Sequence, residues 1–164
     1  MALTKLNTSS LPAGSVLQVV DSGELSGSIS NQTTSFVDTR VVDIAITPKF
    51  ITSKIMLTVT QNLQVWNTSN YATGRWRIMR NINNGSYSVI YEDSNSSNGN
   101  IFAYDYGGSG INVHHPISYT MIDSPSTTNE VKYKTQIAMG ANGGNRISSE
   151  VQAPSRMVLM EIAG

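Results

Sequence analysis

Histidine occurs at two positions, His114 and His115, and their adjacency limits what they can do. Neighbours on a strand point to opposite faces, so this pair is badly placed to bind one metal ion together. It reads instead as a loop or strand end whose imidazoles hydrogen-bond or face solvent. A nucleophilic serine needs a strained turn beside a histidine and an oxyanion hole, and the G-x-S-x-G elbow is absent. The 11 acids are spread along the chain, mostly in expected loops or outward-facing positions, which argues against the paired carboxylates of a glycosidase. Gly107-Gly108-Ser109-Gly110 runs into the strand pattern Ile111-Asn112-Val113 and lacks the lysine and helix of a phosphate loop, so it reads as a flexible turn. Arg75, Trp76, Arg77 and Arg80 combine an aromatic ring with cations, the chemistry of nucleic-acid stacking. Three arginines on an otherwise neutral chain give a weak footprint. The expected roles are Trp76 in the core and the arginines on carboxylates or carbonyls at an interface. No catalytic residue, metal site or cofactor is expected.

Composition narrows the classes further. Eleven basic residues balance eleven acidic ones, so no positive field favours nucleic acid or an anionic membrane. Charged residues make up 13% of the chain, about half the usual share. Serine, threonine, asparagine and glycine must therefore solvate the surface. Hydrophobic residues at 39% fall in short β-branched runs, enough for a core. There is no cysteine, which excludes disulfides and thiolate metal sites. The N-terminus starts no apolar signal region and no stretch approaches the ~18–20 apolar residues of a membrane helix, so a soluble, unsecreted protein is expected.

The elements that would position these residues are strands. Residues 1–13 form a polar arm with leucines at Leu3, Leu6 and Leu11, ended by Pro12-Ala13-Gly14. Residues 14–164 are expected to be a single β-sandwich domain. Ser15 to Val20 reads as a first strand and Asp21 to Thr34 as a loop or loosely paired edge, with Ser35 to Asp38 continuing that edge. Val42, Ile44 and Ile46 alternate with Asp43 between them until Pro48. Lys54 to Val65 is the longest alternation, with Ile55, Leu57, Val59, Leu63 and Val65 on one parity, and predicts a central strand. Trp76 and Ile78 share a face opposite Arg75 and Arg77. Asn83-Asn84-Gly85 offers the positive-φ residues of a tight hairpin returning through Tyr87 to Tyr91. Glu92 to Gly99 reads as a polar loop and Asn100 to Tyr106 as a strand. Pro116 to Ile122 and Glu130 to Met139 alternate as strands around a turn cluster, Asp123 to Asn129. Gly140 to Pro154 reads as a loop before the apolar closing strand Arg156 to Ile162. No segment has a helical period. Eight to ten short strands predict an all-β antiparallel sandwich or jelly roll, with Ile55, Leu57, Val59, Trp76, Ile78, Tyr133 and Ile137 in its core.

Four stretches in order carry a family likeness: Leu11-Pro12-Ala13-Gly14-Ser15-Val16-Leu17-Gln18-Val19-Val20; Ile46-Thr47-Pro48-Lys49 with Ser53-Lys54-Ile55; Asp123-Ser124-Pro125 with Thr127-Thr128 and Tyr133; and Met157-Val158-Leu159-Met160-Glu161-Ile162. Over residues 11–164 the chain resembles the small C1q/TNF-like structural domains of tailed phages of marine and freshwater bacteria. The resemblance implies a jelly-roll protomer that forms a homotrimer on the virion. Its role would be a capsid decoration (cement) protein bound to the major capsid protein, or the knob of a tail fibre that recognises a host-surface glycan or protein receptor. A fibre needs a shaft and a docking segment, and residues 1–13 are too few for either. Decoration is therefore the expected role, with Leu3, Leu6 and Leu11 of the arm anchoring the trimer to the capsid. No nucleic acid or membrane partner is expected.

Overall fold

The computed structural model describes residues 11–68, 71–92, 101–104, 110–140, 146–149 and 154–164. The strands are β1 (Val16–Asp21), β2 (Ile29–Asn31), β3 (Val37–Asp38), β4 (Ile44–Ile46), β5 (Lys54–Asn67), β6 (Tyr71–Ile82), β7 (Ser88–Glu92), β8 (Ile101–Tyr104), β9 (Ile111–Asp123), β10 (Val131–Met139), β11 (Arg146–Ser149) and β12 (Arg156–Ile162). The described residues contain no helix. All the strand pairs are antiparallel.

Four strands are each broken into two pieces that run on in the same direction. β1 pairs with β12 while β2 pairs with β11, and β5 accepts β12 and β11 in turn along one edge and β9 along the other. In the second sheet β3 and β4 pair with successive parts of β10, and β7 and β8 with successive parts of β6. With each broken strand taken as one, the two sheets have the orders 1-8-3-6 and 2-7-4-5. That order is an antiparallel jelly-roll sandwich.

Alternation places the core where a period of two demands it. Ile55, Leu57, Val59, Leu63 and Val65 of β5 are fully buried, facing Trp76, Ile78, Tyr133 and Ile137 of the other sheet. The sheets pack tightly at Gly74, where an added Cβ would clash with the Ile147 side chain. A buried polar cluster lies at mid-core. Trp76 Nε1 donates to Gln61 Oε1 at 2.8 Å, and Thr135 Oγ1 donates to the same oxygen at 3.2 Å.

Several local expectations are corrected. Asp43 has φ of 56°, which breaks the alternation from Val42, so Val41 rather than Val42 is fully buried and β4 is only Ile44–Ile46. Gly140 to Pro154, expected as a loop, contains β11, while Asp21 to Thr34 holds the short edge strand β2, as its loosely paired edge reading allowed. Val113 and Ile117 belong to one uninterrupted strand, so His114 and His115 sit within β9 and not in a loop. Pro116 is tolerated there because, among the described residues, β9 pairs only with β5 and its other edge needs no donor. Asn83 and Asn84 both have positive φ, and Gly85 N donates to Ile82 O at 3.0 Å, as a type I′ turn requires. The β6–β7 ladder nevertheless begins only at Arg80 and Ser88, so the hairpin is wider than the two-residue form. Gly107 to Ser109 and residues 93–99 lie outside the described residues.

Candidate assembly surface

The outward faces of the two sheets differ in chemistry. On β10, β6 and β7, Glu92 pairs with Arg75 and with Arg77, the latter at 3.3 Å, and Lys134 lies 2.8 Å from Asp38. Gln136 joins these pairs, accepting from Arg77 Nε at 2.8 Å and donating to Asp38 at 2.6 Å. Phe36 lies beneath both guanidinium groups, 4.5 Å from Arg75 and 3.7 Å from Arg77. Arg75 and Arg77 therefore both bind a carboxylate, as expected, and it is Glu92 of their own chain.

The other sheet presents apolar residues outward. Strand register puts Val19 opposite Met160, Met160 opposite Met56, and Met56 opposite Ile122. The result is one row across β1, β12, β5 and β9, about 14 Å wide at the usual strand spacing. Their neighbours Val20, Leu159, Leu57 and Met121 turn inward toward the core. Val19 is 55% exposed and Ile122 56%. Val16 is equally exposed, and Val158 and Ile162 are half-buried beside the row. The only ion pair on this side joins Asp21 to Arg156 at the margin, among the described residues; that hydrogen bond and the Gly23 N–H hold the Asp21 carboxyl down at about 2. The surface is thus not solvated by hydroxyls and amides alone. Sequence reasoning missed this row, although Met157-Val158-Leu159-Met160 signals it by being apolar on both parities.

Among the described residues two acids face inward. Asp123 is 8% exposed and Glu161 fully buried, and register places one on each side of Ile55. Asp123 accepts from Arg80 Nη1 at 2.7 Å and from Tyr133 Oη at 2.8 Å, so Arg80 joins the two sheets at one end of the core. Burial, followed by the Asp123 carboxylate, pushes the Tyr133 phenol above its ordinary range. Glu161 accepts from Lys49 N, Ser53 Oγ and Gln18 Nε2, each at 2.6 Å. Both carboxylates are consumed in holding loops and sheets together.

His114 is exposed, with Nδ1 3.4 Å from Asn62 Nδ2, while His115 turns inward and its Nε2 is buried without a partner among the described residues. Burial lowers the His115 imidazole below its ordinary value. Among the described residues no cluster of three or more His, Asp or Glu could hold a metal ion. Leu3 and Leu6 lie outside the described residues, and Leu11 is half-buried ahead of β1.

No family model matches the sequence, and no characterised protein matches it in sequence. Among solved structures the whole chain is similar to the infectious bursal disease virus VP2 subviral particle, with 14% identity and a TM-score of 0.46, over 38% of that chain. It is also similar over its whole length to the T=1 particles derived from that virus, with 10% identity and a TM-score of 0.38, over 41% of that chain. Dimeric latent PorU from Porphyromonas gingivalis matches 93% of this chain and 14% of its own, with 10% identity and a TM-score of 0.29. The chain spans about two fifths of the length of the viral chains it matches.

Proposed function

We propose that this protein is a phage virion structural protein, a C1q/TNF-like homotrimer that decorates and cements the capsid through contact with the major capsid protein and catalyses no reaction. The observation that carries the reading is the apolar row Val19–Met160–Met56–Ile122 on the outward face of the β1-β12-β5-β9 sheet. An outward apolar row, exposed at Val19 and Ile122, half-buried at Met56 and Met160 and flanked by Lys54, has the character of an interface core with a polar rim. A second copy of the same chain is the occupant because the chain has no net charge, so copies meet without repulsion. Each large side chain buried there would contribute about 1.5–3 kcal/mol before the cost of association.

Light scattering on the full chain tests the assembly. A trimer mass is expected at micromolar concentration with or without chelator, and Met160→Lys should dissociate it while leaving the β-sheet circular dichroism unchanged. A wild-type monomer, or a trimer indifferent to Met160→Lys and Ile122→Lys, would overturn the interface. Cosedimentation with purified heads, tails and host cells tests the location. Binding to heads is expected; binding only to tails or cells would replace decoration with a fibre knob recognising a host receptor.

A further inference from the structure

About ten residues along β5 from the apolar row, some 33 Å away at the usual strand rise, the same outward face changes character. Trp66, opposite Asn112 on β9 and Arg146 on β11, borders an open cavity of about 270 Å³. Asn67, Thr68, Gly110 and Ile111 complete the wall. Gly110 has φ of 101°, and a Cβ there would meet Asn67 O at 3.1 Å, so the wall closes this tightly only with glycine.

A hydrogen-bond relay fixes the polar side of this cavity. Arg146 Nη2 and Ser148 Oγ both donate to Gln64 Oε1, at 3.0 and 3.1 Å. Gln64 must then use its amide nitrogen outward, and Nε2 donates to Asn112 Oδ1 at 2.6 Å. With its oxygen engaged, Asn112 is left presenting its NH2 group, which has no partner among the described residues. Gln64 and Ser148 are buried, so the relay is held in place before any ligand arrives.

We infer that this cavity is a binding site for a neutral saccharide, one pyranose ring lying against Trp66 and hydrogen-bonded by Asn112. An indole offers an apolar face to the C–H side of a sugar ring, and the Asn112 NH2 group donates to a hydroxyl oxygen of that ring. Among the described residues no charged side chain lines the cavity, so the described lining suits a neutral ligand. Arg146 is already engaged by Gln64 and lies over the Trp66 ring, 5.7 Å from its centroid. The site stands apart from the apolar row and does not depend on the assembly proposed above.

Tryptophan emission reads this out directly, since the chain has two tryptophans and Trp76 is buried. Glucose, galactose, mannose, N-acetylglucosamine and disaccharides of each are titrated into the full-length protein. At least one is expected to shift Trp66 emission, saturating in the millimolar range. Trp66→Ala should abolish binding measured by calorimetry. Asn112→Ala should weaken it by about tenfold, equivalent to about 1.4 kcal/mol. Gln64→Ala, a positioning change, should weaken it comparably, with the melting temperature of the Asn112 variant unchanged. No saturable response to any member of the panel, or binding indifferent to Asn112→Ala, would overturn the inference. Tighter binding of a mononucleotide than of every sugar would overturn it as well.

Discussion

Arg80 Nη1 lies 2.7 Å from Asp123 Oδ1, tying β6 of one sheet to the end of β9 in the other. Asp123 is nearly buried while the Arg80 side chain keeps 23% of its surface. Removing the carboxylate leaves Arg80 and the Tyr133 hydroxyl without their acceptor. Asp123→Ala should therefore cost about 3 kcal/mol, the low end for breaking a buried pair, because Arg80 can still reach water. Urea unfolding measures this, and a loss below about 0.5 kcal/mol would show that the pair does not join the sheets.

Leu57 is fully buried in β5, flanked by Leu159 and Met121. Leu57→Ala should cost about 2–5 kcal/mol through lost burial and the cavity left behind. Thr58→Ala, one residue on and facing outward, should change stability by less than about 0.5 kcal/mol. Equal losses at the two positions would contradict the register.

Stability should fall on mild acidification because of His115. Burial lowers its folded-state value, so as pH drops through about 6.5 the unfolded chain takes up a proton that the folded chain refuses. Above that value both states are neutral and the contribution is constant. The urea midpoint should thus decline between pH 7.5 and 5.5 in the wild type and decline less in His115→Gln. An equal decline in both would assign the effect to other groups.

The leucines at Leu3, Leu6 and Leu11 give the arm its expected role as capsid anchor. Burying them against a neighbouring surface would contribute roughly 1.5–3 kcal/mol each before ordering costs, repeated in every copy of a trimer. Deleting residues 2–11 should leave the oligomer intact while abolishing cosedimentation with heads. Unchanged binding by the truncated protein would remove the arm as anchor.

The sequence by itself determined those features whose cause is local. Alternation with a period of two marks β5, β6 and β10 and puts Ile55, Leu57, Val59, Trp76, Ile78, Tyr133 and Ile137 on inward faces, because side chains on a strand alternate whatever the partner. The paired asparagines at 83 and 84 likewise announce a turn through their own tolerance of positive φ. Tertiary structure alone decided what depends on register between distant segments. Arg146-Ile147-Ser148-Ser149 carries one apolar residue and is a strand because β5 and β2 flank it on both sides. Met56, Met160, Val19 and Ile122 look unremarkable in isolation and form a surface only when four strands align them. Gln64 and Asn112 are ordinary outward amides until adjacent strands bring Arg146 and Ser148 onto one carbonyl oxygen, and that meeting sets which atom of Asn112 faces solvent.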